Sequence, residues 1–244
     1  MPLLILYWVL PIACGIHVVR TGRPLFWLWI IIFAPMIGCA IYVIVEVIPE
    51  LMGSPRAQRA AGRAKRIVDP NRAYRAALDR LEAADTVDNR RAVAEHYLER
   101  GMNDEAAKLY ASTLTGVHQD DPALLFGLAR AEFAAGRAAE ALQALDQLKA
   151  ANPGYQSPDA HLIYARALEA LGRDAEAREE YEALAGYYPG AEARCRYALL
   201  LKKMGEGEKA RALFAEIVKS LDRAGRRFIR EQREWYDLAR QNMG

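Results

Sequence analysis

Residues 128–145 read LARAEFAAGRAAEALQAL, and this stretch decides the fold. Ala129 stands seven residues before Gly136 and Ala141 five after it, while bulky Leu128 and Leu145 stand eight before and nine after. Two antiparallel helices that cross closely need this arrangement. Small residues let the backbones meet, large ones fill the space beside them, and glycine makes the turn. The register recurs at Gly101, Gly172 and Gly205, so that the four glycines are spaced 35, 36 and 33 residues apart. Ala94, Ala165 and Ala198 precede these glycines, and Ala106, Ala177 and Ala210 follow them. Val93, Tyr164 and Tyr197 take the bulky place before the turn, and Tyr110, Tyr181 and Phe214 the place after it. A period near 34 predicts helix pairs that each bury one face only against a neighbour: an all-α solenoid of about four pairs.

Helix starts are written in the same region. Asp69-Pro70, Asp121-Pro122 and Ser157-Pro158 each set a capping side chain before a proline at the first helical position. The alanine–glycine–alanine–aromatic register resembles that of tetratricopeptide repeats over residues 87–222, with Pro153 and Pro189 in the expected place between repeats. The first and fourth units carry His118 and Asp222 there instead, and Arg90, Leu125, His161 and Arg194 stand where the family has an early Trp. These departures leave the packing register intact. Residues 70–84, with Tyr74, Leu78 and Leu81 on one face, predict a leading helix. Residues 226–242, with Phe228, Trp235 and Leu238 at helical spacing, predict a helix that covers the last apolar face of the solenoid or, alternatively, serves as a separate binding helix.

The chain has 244 residues, is 52% hydrophobic and carries 33 Lys+Arg against 31 Asp+Glu. That balance excludes a disordered chain and a strongly basic nucleic-acid binder, so no nucleic-acid partner is expected. The charge is unevenly placed, however. Residues 1–50 hold only Arg20, Arg23, Glu46 and Glu50. Within them Leu3–Val19 and Leu25–Val45 are uncharged, 17 and 21 residues long, around a polar turn at residues 20–24. A bilayer core needs about 20 apolar residues as helix, so residues 1–50 predict a two-helix transmembrane hairpin that enters the membrane over residues 3–48. Ile12-Ala13-Cys14 looks like part of a lipoprotein cleavage motif, but no Lys or Arg precedes Arg20 and Pro11 occupies the position three before the cysteine. Ala34 and Gly38 form a small pair suited to close helix packing, against the first helix or another protomer. In an antiparallel hairpin Glu46 is expected near residues 1–5 and away from His17, which reads as an interfacial residue.

Arg56, Arg59, Arg63, Lys65 and Arg66 follow the second apolar segment, against Arg20 and Arg23 in the turn. The excess predicts both termini and the repeats on the cytoplasmic side of the inner membrane. Residues 51–69 are read as a basic juxtamembrane linker helix and residues 70–244 as the repeat domain. Arg56, Arg59, Arg63 and Arg66 share a helix face; they either fix topology or rest on anionic lipid headgroups.

The run Ile16-His17, Arg23-Pro24, Trp27 or Trp29, Pro35-Met36-Ile37-Gly38 and Ile41-Tyr42 resembles the N-terminal membrane hairpin of phospholipase D-type proteins, including bacterial cardiolipin synthases. In that family the hairpin anchors a cytoplasmic catalytic part whose signature is His-x-Lys-x-x-x-x-Asp. None of His17, His96, His118 and His161 is followed by lysine at that offset, so the resemblance implies anchoring without phospholipid chemistry. An accessory role in phospholipid metabolism, acting through the hairpin, is the alternative it leaves open.

No catalytic constellation is read. Gly205-Glu206-Gly207-Glu208-Lys209-Ala210 matches a dinucleotide fingerprint, but it follows a helix where the motif needs a strand. Cys14, Cys39 and Cys195 lack metal-ligand spacing, the four serines lie in no nucleophile elbow, and Glu179-Glu180 reads as a solvated face. No cofactor, no metal and no enzymatic activity are expected.

Tetratricopeptide arrays hold a peptide or protein segment on a concave face lined by each repeat's first helix, and the resemblance implies the same here. Offsets from the glycines place Arg91, Glu95 and Glu99 on that face in the first repeat, and Phe126, Arg130 and Phe133 in the second. Leu162, Arg166 and Glu169 follow in the third, then Cys195, Arg196, Leu199 and Lys202 in the fourth. Glu95, Arg130, Arg166 and Leu199 stand where the chaperone-binding members carry an informative asparagine, so their carboxylate clamp is not matched. The groove suits an acidic, apolar segment, unless its arginines are paired with neighbouring glutamates. The expected function is that of a membrane-anchored, non-catalytic scaffold.

Overall fold

The computed structural model describes residues 2–22, 24–47, 69 and 71–243, with residues 2–10 as backbone only. The chain divides into two compact units, Met1–Ala73 and Tyr74–Gly244.

Among its described residues the first unit holds α1 (Pro2–Arg20), α2 (Phe26–Phe33) and α3 (Pro35–Tyr42), with a π-helical turn over Val43–Val47. The sequence predicts one helix across residues 25–45, and the structure breaks it at Ala34. The cause is Pro35, whose ring crowds the preceding residue out of the helical region; Ala34 adopts φ −137° and ψ 72°. After the break α3 turns back along α2. A side-chain carbon at Gly38 would lie 2.5 Å from the Ile30 carbonyl oxygen, so this small residue serves the α2–α3 contact rather than a contact with α1. Cys14, Val18, Trp27, Ile31, Cys39 and Tyr42 form the interior. His17 Nδ1 lies 2.8 Å from the Tyr42 hydroxyl, and Trp27 Nε1 donates to Glu46 at 3.3 Å. Glu46 thus meets the far end of its own segment, because α3 doubles back where a straight helix was expected. Among the described residues no helix is long and apolar enough to cross a membrane. The eight-residue α2 and α3 each span about 12 Å. The transmembrane hairpin expected over residues 1–50 therefore finds no support among the described residues. The unit nevertheless leaves Leu25, Trp29, Ile32, Phe33 and Ile37 largely uncovered, Phe33 by 80%. Arg56, Arg59, Arg63 and Arg66 lie outside the described residues.

The leading helix of the second unit is α4 (Arg72–Ala83). Four pairs follow: α5 (Val87–Glu99) with α6 (Asn103–Thr113), α7 (Pro122–Ala134) with α8 (Ala138–Ala151), α9 (Pro158–Ala170) with α10 (Asp174–Tyr187), and α11 (Glu192–Lys203) with α12 (Gly207–Ala224). Gly101, Gly136, Gly172 and Gly205 sit within the four pairs with φ of 71°, 82°, 73° and 87°, which side-chain-bearing residues seldom adopt. The next residue in each case returns its N–H to a carbonyl five residues back, as Met102 does to Tyr97 at 2.9 Å, and this closes the first helix of the pair. The eight register alanines are 0–1% exposed, and Tyr110, Tyr181 and Phe214 are equally buried beside them.

Two of the three caps behave as read. Asp121 accepts from Ala123 and Leu124 at 2.9 and 3.0 Å, and Ser157 from Ala160 at 3.2 Å. Pro70 lies outside the described residues. The expected terminal helix is two, α13 (Arg226–Glu231) and α14 (Arg233–Asn242). Gln232 separates them and accepts from the Ala191 N–H at 3.1 Å, which ties the break to the start of α11. Trp235, Leu238 and fully buried Ala239 pack over Cys195, Ala198, Phe214 and Ile217, so α14 covers the last apolar face, while Phe228 remains 37% exposed.

Candidate protein-binding face

One strip of side chains runs across α5, α7, α9, α11 and α14. It begins at Glu95 of α5, whose Oε1 accepts from the Tyr110 hydroxyl of α6 at 2.8 Å. Burial, and then the hydrogen bond to Glu95, push the Tyr110 phenol far above its ordinary range and keep it a donor. Glu95 also accepts from Arg130 through both carboxylate oxygens, at 2.9 and 3.0 Å. The Arg130 guanidinium lies 5.7 Å from the centre of the Phe126 ring. Next along the strip, Arg166 stands 4.7 Å over Phe133, and Arg196 stands 5.0 Å over Trp235. Lys202 closes the strip by donating to Asn242 Oδ1 at 2.8 Å.

Carboxylates are unevenly shared along this line. Arg130 engages both oxygens of Glu95, one of which also accepts from Tyr110. Arg166 and Arg196 share one oxygen of Glu192, at 4.0 Å from Arg166 and 2.8 Å from Arg196. The shorter contact is a hydrogen bond and the longer is not. Burial, and then the neighbouring Arg196 charge, lower the Arg166 pKa from its ordinary value. The nearby Glu169 is occupied by the Tyr181 hydroxyl at 2.7 Å.

The structure therefore gathers Glu95, Phe126, Arg130, Phe133, Arg166, Arg196 and Lys202 on one strip. Arg91 pairs locally with Asp88 at 3.1 Å, and Glu99 with His96 at 2.8 Å. Leu162 is 4% exposed and belongs to the core with Leu142 and Leu168, because its offset turns it inward between successive pairs. Cys195 is fully buried, and its thiol contacts the Trp235 carbonyl at 3.5 Å. Trp235 and Glu192 complete the strip, and neither is among the residues that the glycine offsets select. The spacing of Trp235 suggests capping alone, and Glu192 opens its helix outside the register. The signal that could have found Glu192 is its position four residues before Arg196.

A second hollow, of about 660 Å³, lies among α8, α9, α10 and the loop at Pro153. Leu145, Leu148, Tyr155 and Tyr164 line it, and His161 is held there between the Tyr187 hydroxyl and the Glu180 carboxylate. Glu180 is thus a partner of His161 rather than a solvated charge. Among the described residues no group of three or more His, Cys, Asp or Glu is placed to hold a metal ion.

Two family models of the tetratricopeptide repeat match this unit, over residues 97–157 and 159–191. The helix pairs within residues 97–191 are tetratricopeptide repeats. Neither match reaches the first unit, and the likeness to phospholipase D-type hairpins finds no support. Similar solved structures include TTC0263, a tetratricopeptide-repeat protein of Thermus thermophilus, with a TM-score of 0.55 at 17% identity over 75% of this chain and 96% of that one. MamA gives 0.53 at 21% identity over 62% and 88% of the two chains. YrrB, described as a tetratricopeptide-repeat protein with an unusual peptide-binding site, gives 0.50 at 16% identity over 60% and 75%. At these identities the likeness establishes the fold. No curated protein matches the chain.

Proposed function

We propose that this chain is a non-catalytic scaffold that holds a protein segment along the first helices of its tetratricopeptide repeats and is retained at a membrane by its apolar first unit. The strip of aromatic and arginine side chains on α7, α9, α11 and α14 carries the proposal. Its members are preorganised by their neighbours, they offer apolar rings beside cations, and they follow the face that such arrays use for protein and peptide partners. Retention at the membrane rests on two near-uncharged runs within residues 1–50 and on the uncovered Trp29, Ile32, Phe33 and Ile37. The basic residues 56–66 favour the cytoplasmic side and can rest on anionic headgroups.

Affinity purification of the full chain and of a Phe133→Ala/Arg166→Glu variant from membranes tests the reading. Both should pellet with membranes and show the same helical circular dichroism, and the partner recovered with the parent should be lost from the variant. Recovery of the same partner by both would remove the strip from the function.

A further inference from the structure

Three features stand apart from the core packing: the hollow around His161, the uncovered apolar side chains of the first unit, and the Arg166–Arg196 pair. Nothing selects an occupant for the hollow, and the apolar side chains already belong to the proposed membrane contact. The arginine pair goes further.

Arg166 and Arg196 come from successive first helices and share one carboxylate oxygen, that of Glu192. Arg196 takes the Glu192 oxygen at 2.8 Å and lies against Trp235, whereas Arg166, with a side chain 32% exposed, has that oxygen at 4.0 Å and makes no hydrogen bond to any described residue. A guanidinium presents five donors in a planar fork that matches a carboxylate. Arg130, which a sequence reading would rank with Arg166, has its carboxylate supplied within the fold by Glu95. Of the carboxylates that act on Arg166, Glu169 is taken up by the Tyr181 hydroxyl and Glu192 by Arg196, so the Arg166 fork, flanked with Arg196 by the Phe133 and Trp235 rings, has no carboxylate hydrogen-bonded to it.

We infer that Arg166 and Arg196 form a carboxylate-binding subsite, and that the bound segment places an acidic group there with an aromatic or aliphatic side chain beside it on Phe133 or Trp235. This rests on the groove reading above and names the chemistry that fills it. Glu192 then acts as an internal competitor: it holds Arg196 while the site is empty and is the group that an incoming carboxylate must match. Burial and the neighbouring Arg196 charge disfavour the Arg166 cation more than Glu192 and Glu169 favour it, and a carboxylate hydrogen-bonded to its fork offsets that penalty.

The same chemistry can come from an aspartate or glutamate within a segment or from a free chain end. The test therefore uses two displayed libraries of random twelve-residue peptides, one with free C-termini and one with blocked ends, selected on the full-length chain in detergent. Enriched peptides should carry an acid at a fixed place within about three residues of an apolar side chain. Enrichment in the free-ended library alone assigns the site to a chain terminus, and enrichment of internal Asp or Glu in both assigns it to a side chain. Enriched peptides should bind the Arg166→Gln variant about tenfold more weakly, the worth of one charge-assisted contact. They should bind Glu192→Gln more tightly, because the competitor is gone and both guanidiniums remain. A residue serving structure alone would not give that gain. Binders with no acidic preference, or with equal affinity for the parent and both variants, would overturn the subsite while leaving the groove standing. If the parent enriches no peptide, the groove reading falls with it.

Discussion

Tyr110 shows how one residue sets the demands on its neighbours. Its ring is fully buried between the first and second pairs, and a side-chain carbon at Gly127 would sit 2.4 Å from it. Gly127 therefore stands inside α7, in spite of the helix propensity it gives up, to leave room for the ring. Gly127→Ala should lower stability by about 1–3 kcal/mol in urea unfolding, as overpacking does, and adding Tyr110→Leu should recover part of that loss. The repeat register finds Tyr110 because it recurs; Gly127 occurs once and is invisible without the partner helix. Cys195 teaches a related lesson. Its offset places it on the binding face, yet it is fully buried, and burial pushes its pKa from an ordinary 9.0 up to about 12. The folded state thus favours the protonated thiol. The corresponding stability is present below about pH 9 and is lost as pH rises towards 12. A chain with Cys195 as its sole cysteine should react with maleimide at pH 7.5 only as fast as it unfolds, and Cys195→Ala should flatten the loss of stability above pH 9. Rapid labelling of the folded protein would contradict the burial.

Elements are legible to the extent that their signals are local. Glycines with positive φ, caps before prolines and alanine crossings all act within a few residues, and they place the four pairs. Asp121 illustrates the strength of such a signal: it satisfies two N–H groups at the start of α7, and Asp121→Ala should cost about 1 kcal/mol in thermal or urea unfolding, with the helix pairs retained. Signals that depend on a distant partner are harder to read. Residues 226–242 read as one helix until Gln232 is seen to reach the Ala191 N–H, and the 21-residue apolar run reads as one helix although Pro35 carries a reason to break it. Offset alone assigns Leu162 to the binding face, and only its packing against Leu142 and Leu168 shows that it turns inward. The terminal element also has a use that its spacing does not suggest, because Trp235 both caps the core and shelves Arg196. Truncation after Gly225 should expose Phe214 and Ile217, lower the melting temperature and promote self-association in sedimentation. An unchanged, monomeric truncated chain would show that α14 is dispensable to the core.

At the scale of the molecule, two kinds of apolar residue serve two ends. The repeat unit hides its alanines and aromatics between helices, whereas the first unit leaves Phe33, Ile32 and Trp29 uncovered. If those side chains meet lipid, the full chain should remain with membranes in alkaline carbonate, and a Trp29→Ser/Ile32→Ser/Phe33→Ser variant should be released in larger part. Equal retention of the two would detach these residues from membrane binding. The face proposed to hold the partner is legible in outline, since offsets from four glycines find seven of its members. Which of its arginines are already paired is not legible, because ion pairs between successive repeats depend on side-chain reach rather than on period. The most direct measurement places a photoreactive amino acid at Phe133 on the strip, and separately at exposed Glu179 on α10, in the full chain in living cells. The account predicts a crosslinked protein from Phe133 that is absent from Glu179; equal capture from both positions, or capture from Glu179 alone, would contradict it.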